Sequence, residues 1–232
     1  MFAVIFEVRP DASRFDAYLD VAKALRPELE GIEGFKENLR YKSIQRPGLL
    51  LSLSTWADEK ALVRWRTRGR HHLAQEKGRG GIFEDYHLRV GQIVHGGGQG
   101  WQATELGVGN NERFDETVVG QAKTVVLIDG FRTDADGGDL GAADDLARRF
   151  GLNVETSPQY LVDWDILNAV LTPGDLILLT SWSNEQAAAS FCEQIPPSLR
   201  YRRVRIIRDY GKYDRREAPQ YYKDAEGRET IH

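Results

Sequence analysis

Apolar and polar positions switch along this chain between alternation, which marks strands, and a three-to-four spacing, which marks helices. Phe2–Val8 is an apolar run suited to a central strand, ended by Pro10–Asp11. Phe15, Tyr18, Leu19, Ala22, Leu25 and Leu29 then recur on one helical face, and Gly31 and Gly34 stop that helix. Phe35–Ser43 reads as a strand with Phe35, Glu37, Leu39 and Tyr41 on one side, and Arg46–Pro47–Gly48 as a turn. Leu49–Trp56 is a third strand. A second helix follows, capped by Thr55 or Asp58 and carrying Leu62 and Trp65. Gly78–Gly81 breaks the chain before a long fourth strand, Ile82–Val94. The order βαββαβ, with right-handed connections, predicts an α+β ferredoxin-like unit: a four-stranded antiparallel sheet with both helices on one face.

The pattern then comes back. Leu49–Ala61 (LLLSLSTWADEKA) is echoed by Leu176–Ala187 (LILLTSWSNEQA), with Trp56 on Trp182 and Glu59 on Glu185, 126 residues apart. Around it Thr124–Ile128, Tyr160–Ile166 and Tyr201–Ile207 read as strands, and Ala142–Phe150 and Asn184–Cys192 as helices. The chain therefore divides into a first unit at 1–98, a linker at 99–121, a second, diverged unit at 122–210 and a tyrosine-rich arm at 211–232. The arm is either anchored across a neighbouring surface by Tyr210, Tyr213, Tyr221 and Tyr222 or a disordered terminus. A unit of this kind leaves one sheet face bare and apolar, and such a face has to be covered. The two halves can cover each other as an intrachain pseudo-dimer, or two chains can pair as a homodimer. Between Arg89–Val90 and Arg203–Val204 the offset falls to 114, so the second half lacks a stretch equivalent to part of Arg66–Gly81.

Composition narrows the function classes. A net charge of -4 gives no general pull towards nucleic acid or anionic membranes. No apolar stretch has the length of a transmembrane helix. The lone Cys192 rules out an internal disulfide and fits a reducing cytoplasm. No CxxC, HExxH or GxGxxG pattern points to a structural metal or a dinucleotide.

The stretch peculiar to the first half is the chemically dense one, with Trp65, Arg66, Arg68, Arg70, His71, His72 and Lys77. Trp65 and His72 share a helical face if the helix runs unbroken through Gly69. A pocket-facing histidine there can shuttle a proton or ligate a haem iron, with Arg66 beside it to hold an anionic group. The alternative is that His71 and His72 only interact with a helix end. His87 shares a strand face with Asp85 and Arg89, as part of a pocket or as a cross-strand polar network. Phe6, Tyr18, Phe83, Tyr86 and other large rings can line a cavity for a flat apolar ligand.

The element order, the strand–helix stretch LSLSTWADEKALVRW and the stretch HHLAQEKGRGGIFEDYHLRV together resemble the antibiotic biosynthesis monooxygenase family of dimeric α/β-barrel proteins, the second half resembling a diverged copy. The resemblance implies a small-molecule monooxygenase with a pocket between the helices and the sheet. It would act on an aromatic or quinol-like substrate, either without a cofactor or with haem; a haem-binding, haem-degrading or non-catalytic ligand-binding role is the alternative. In the haem-degrading branch the working residues are an Asn on the first strand, a Trp on the second helix and a later His. Here those positions fall on Glu7, on Trp65 and near His71 and His72, the histidines coming early. In a cofactor-free oxygenase His72 or Glu7 would be the base, Trp65 and Arg66 would position the ring, and His71, His87, Arg89 and Phe83 would complete the binding site.

Overall fold

The computed structural model describes residues 1–98, 120–133, 140–152 and 157–215. The first half runs β1 (Phe2–Pro10), α1 (Phe15–Glu30), β2 (Phe35–Ser43), β3 (Leu50–Trp56), α2 (Glu59–Arg66), α3 (Gly69–Lys77) and β4 (Phe83–Gly97). The second runs β5 (Thr124–Arg132), α4 (Leu140–Arg149), β6 (Leu161–Ala169), β7 (Asp175–Trp182), α5 (Glu185–Cys192) and β8 (Arg200–Gly211). The strands close into one barrel in the order β1-β3-β2-β6-β7-β5-β8-β4. Each half contributes four neighbouring strands, joined at a short β2–β6 seam and a long β4–β8 seam. The bare faces foreseen from the sequence are thus the barrel interior, buried within a single chain.

Strand alternation builds that interior. Ala3 and Ile5 of β1, Leu51 and Leu53 of β3, Val125 and Leu127 of β5, and Ile177 and Leu179 of β7 form one buried cluster with Tyr41, Ile93, Leu167 and Val204. The intervening residues face outward onto the helices, and on β1, β5 and β7 these too are largely apolar, so few polar positions there mark which face is which. At the long seam Gly91 is needed because the backbones crowd: a Cβ there would lie 2.5 Å from Val204 Cγ1 and 2.6 Å from the Arg205 carbonyl.

The barrel interior is polar towards its two ends, in matching ways. Arg89 donates to Glu7 (2.5 Å) in its own half and to Ser181 (2.8 Å) in the other. Arg202 donates to Asp129 (3.2 Å) in its own half and to Glu37 (2.8 Å) in the other. Strand register makes Glu7 the counterpart of Asp129 and Arg89 that of Arg202, so the repeat extends to these buried ion pairs.

Helix caps follow the repeat too. Asp58 accepts from the Ala61 amide at 2.8 Å and Asn184 from the Ala187 amide at 2.9 Å, each satisfying a donor that a helix N-terminus leaves open. Each repeated tryptophan donates its indole N–H to the hydroxyl two residues back, Trp56 to Ser54 and Trp182 to Thr180.

Two expectations fail locally. A bulge between Phe35 and Glu37 puts Phe35 on the helix side with Trp56, while Glu37 faces the barrel. The second helix is not continuous: α2 ends at Arg66, Thr67 caps it, and α3 restarts at Gly69. Trp65 and His72 therefore do not share a face. Of the predicted linker, residues 99–119 lie outside the described residues, as do Tyr221 and Tyr222 of the arm. No described helix is long and apolar enough to cross a membrane.

Candidate functional site

The insertion peculiar to the first half, α3 and the π-type turn Gly78–Ile82, stands off the sheet and opens a cavity of about 240 Å³. Its near wall is α1, through Tyr18, Leu25 and Leu29; its far wall is α2 and α3, through Trp65, His71 and Gln75. The floor is the helix-facing side of the first-half sheet. Tyr210 and Arg215, at the end of the chain's described part, complete the lining. Gly78 leaves room for the Phe83 ring, which a Cβ there would approach to 2.3 Å.

The restart of the helix at Gly69 folds His71 back onto Trp65, ring centroids 4.3 Å apart and nearly parallel. Burial pushes the His71 imidazole down to about 4, so it is neutral at physiological pH. Burial likewise raises the Tyr18 hydroxyl, with Arg40 pulling it part of the way back. Phe6, Phe83 and Tyr86 form a ring cluster at the opposite end from Trp65, with Phe6 5.7 Å from each of the other two. The Tyr86 hydroxyl accepts from Arg79 and from Arg215, each at 2.8 Å.

The floor differs between the two halves. In the register of β2 and β3, Asn38 pairs with Ser54 and Arg40 with Ser52. The equivalent β6–β7 pairs are Trp164 with Thr180 and Ile166 with Leu178. In the second half Ile166 and Leu178 close up with Val126, Ile128 and Phe191 into a packed cluster against α4 and α5. In the first half a small polar residue and two hydrogen-bonding side chains stand there instead. The lining carries five arginines (Arg26, Arg40, Arg66, Arg79 and Arg215) and, among the described residues, no aspartate or glutamate. A cavity with apolar walls and several arginines in its lining suits an apolar molecule bearing an anionic group.

The residues singled out from the sequence separate into three places. Trp65, Arg66, His71 and Phe83 line the cavity together. His72 is absent from the lining; its side chain is 41% exposed and lies 3.7 Å from Glu76 on the outside of α3. Glu7, His87 and Arg89 are on the barrel side of their strands, because β1 and β4 turn Phe6, Leu88 and Val90 to the cavity. There Glu7 is buried against Arg89, and His87 meets Asp209 at 2.5 Å. Burial would raise the Glu7 carboxyl, but the charges of Arg89, His87 and Arg46 outweigh it and hold it below the usual range. Glu7 is thus a fixed anion in an ion pair, the wrong setting for a base that must take up a proton. Asn38, Arg40, Ser52 and Ser54 were missed because polar residues at alternate strand positions look like a solvent face. Setting Ser52 against Leu178 in the repeat was the signal that could have found them.

Haem does not fit these residues. His72, the expected iron ligand, lies outside it, and His71 is stacked on Trp65. Among the described residues no cluster of metal-ligating side chains occurs elsewhere.

The sequence profile of the antibiotic biosynthesis monooxygenase family matches residues 1–77. A jasmonate monooxygenase from Pyricularia oryzae is 53% identical over 225 residues, spanning 97% of this chain and all of that protein. Among solved structures, a protein from Lactobacillus acidophilus NCFM covers 88% of this chain and 93% of its own at 9% identity, with a TM-score of 0.38. An antibiotic biosynthesis monooxygenase aligns over 39% of this chain and 95% of its own at 14% identity, with a TM-score of 0.35. On the strength of the full-length identity to the Pyricularia enzyme, the chain belongs to the antibiotic biosynthesis monooxygenase family and is an oxidoreductase of the monooxygenase type.

Proposed function

We propose that the chain oxygenates a small, largely apolar acid of the jasmonate kind, bound in the first-half cavity between the helices and the sheet. The carrying observation is the contrast between halves: Asn38, Arg40 and Ser52 keep open the space that Trp164, Ile166 and Leu178 occupy in the twin. Packing alone favours the filled version, so the open one calls for another reason. The activity of the Pyricularia relative supports the choice of substrate, and the lining's excess of arginine agrees with an acid.

In a monooxygenation one atom of dioxygen enters the substrate and the other leaves as water. The two electrons and two protons this takes are drawn from a reductant, a soluble hydride donor for an acid or the substrate itself for a quinol. Keeping bulk water from the reacting carbon protects the intermediates from side reactions. The apolar walls from α1 and the Trp65–His71 stack do this. The neutral His71 imidazole can accept a hydrogen bond without bringing a charge into the cavity. The ring cluster of Phe6, Phe83 and Tyr86 supports a second reading, an aromatic or quinol-like substrate held against those faces.

The test is incubation of the purified chain with jasmonate and a nicotinamide or flavin reductant under isotopically heavy dioxygen, followed by mass spectrometry, beside a quinol panel followed by dioxygen uptake. A jasmonate product carrying one heavy oxygen is expected. A folded protein that consumes quinols but leaves jasmonate untouched would replace the first reading by the second; one inert towards both overturns the cavity assignment.

A further inference from the structure

We infer that Arg40 is the residue that selects the acid: it holds the substrate's carboxylate on the cavity floor, so that the apolar body lies across Val4 and Val90 towards Trp65 and His71. This rests on the function proposed above and adds to it a specificity-determining residue and an orientation.

The arginines of the lining are not equivalent. Arg26 stands at the rim, its side chain 58% exposed and paired with Glu30 at 2.8 Å. Arg79 and Arg215 both donate to the Tyr86 hydroxyl. Arg66 lies near His71 and Tyr210, close enough to act on both electrostatically. Arg40 projects from the middle of β2 into the floor, opposite Ser52 and beside Tyr18. Its side chain hydrogen-bonds to the neutral Tyr18 hydroxyl, its Nε is buried without a partner, and among the described residues no carboxylate pairs with it. A guanidinium partly removed from water without a counter-ion is costly, and a bidentate carboxylate is the ligand that best relieves it.

Fold gives no reason for the charge, since the same register position in the second half is the fully buried Ile166. Ser52 adds a second donor: its oxygen accepts from Asn38 Nδ2 at 3.0 Å, leaving its own proton for a ligand. The row across the sheet through Arg40 is Arg40, Ser52, Phe6 and Leu88; the next row is Asn38, Ser54, Val4 and Val90. Val4 and Val90 pack in the cluster that includes Trp65. A molecule with its carboxylate on the first row therefore lays its apolar part under the Trp65–His71 stack.

The experiment compares calorimetric binding of jasmonate and its methyl ester to the full chain, to Arg40→Met and to Arg40→Lys, alongside product formation. The ester keeps the apolar body and removes the charge. Wild type is expected to prefer the acid by roughly 10- to 100-fold, the worth of a charge-assisted hydrogen bond. Arg40→Met should lose that preference through weaker acid binding alone, and Arg40→Lys should recover part of it. An acid preference unchanged in Arg40→Met, or equal weakening of acid and ester, overturns the inference while leaving any jasmonate oxygenation standing. Should Arg40→Met not fold, Arg40→Gln takes its place, and a wild type without acid preference, or an Arg40→Gln that keeps the wild-type preference, overturns it as well. Acid-selective binding through Arg40 with no oxygenated product would instead sink the proposed function and keep the anchor.

Discussion

Replacing Ser52 by leucine copies into the first half the residue the second half carries at Leu178. The added side chain would enter a cavity of about 240 Å³, so there is room for it without displacing backbone. Burying a leucine side chain contributes about 1.5–3 kcal/mol. Against this, the hydrogen bond from Asn38 is lost, at about 1 kcal/mol, though Asn38 can turn to water in what remains of the cavity. The balance is a gain of about 1 kcal/mol, which in a chain of this size raises Tm by ~2–4 °C. Substrate binding should move the other way, because the leucine sits beside Arg40 and takes the space of the carboxylate. Thermal and urea unfolding measured with turnover and ligand titration would show a more stable, inactive protein. Retained activity would show that the substrate binds elsewhere, and a loss of several kcal/mol would show that the floor has no free space.

Further predictions concern residues on either side of the sheet. Glu7→Gln breaks a buried ion pair and leaves Arg89 facing a neutral amide, so unfolding experiments should record a loss of about 3 kcal/mol. Because Glu7 faces the barrel, KM measured below the variant's unfolding temperature should not change; a large rise in KM would put Glu7 back at the site. His72→Ala should leave turnover near wild type, whereas His71→Ala removes the partner of Trp65 and should cut kcat/KM by about tenfold or more; the reverse pattern refutes the placement of the two histidines. Burial raises Asp165 to about 6 despite the nearby Arg46, from an ordinary value of 3.8. Its folded pKa lies above its unfolded one, so this group favours the fold below the unfolded value and loses that contribution as pH rises through about 6. Asp165→Asn should accordingly gain on wild type by on the order of 2 kcal/mol between ~pH 4 and ~pH 6, Arg46 keeping Asp163 as its partner. A stability difference that stays flat across that range contradicts this account.

Much of the fold was legible because it is written twice. Apolar runs and alternation place the eight strands, the Trp56–Asp58 and Trp182–Asn184 elements mark the helix starts, and the duplication implies that one half can cover the other. What could not be read was the side of the sheet on which a polar residue lies. Glu7 follows Phe6 on a strand buried on both faces, so nothing in FAVIFEV tells the barrel side from the helix side. The extra residue at the Phe35–Glu37 bulge inverts a face that strict alternation assigned the other way. One continuous helix would turn His72 towards Trp65, but the break at Gly69 turns its neighbour His71 inward instead. Candidate residues near the helix break were thus located to within a turn, while those on the strands needed the register.

The closure of both halves into one barrel by a single chain has a consequence for how the molecule can vary. In a ring made from two identical chains, every substitution is made twice, and a side chain that fills one hollow fills its mate. Here a change at residue 52 has no echo at residue 178. One half is free to stay open and chemically equipped while the other hardens into a wedge that holds the first in shape.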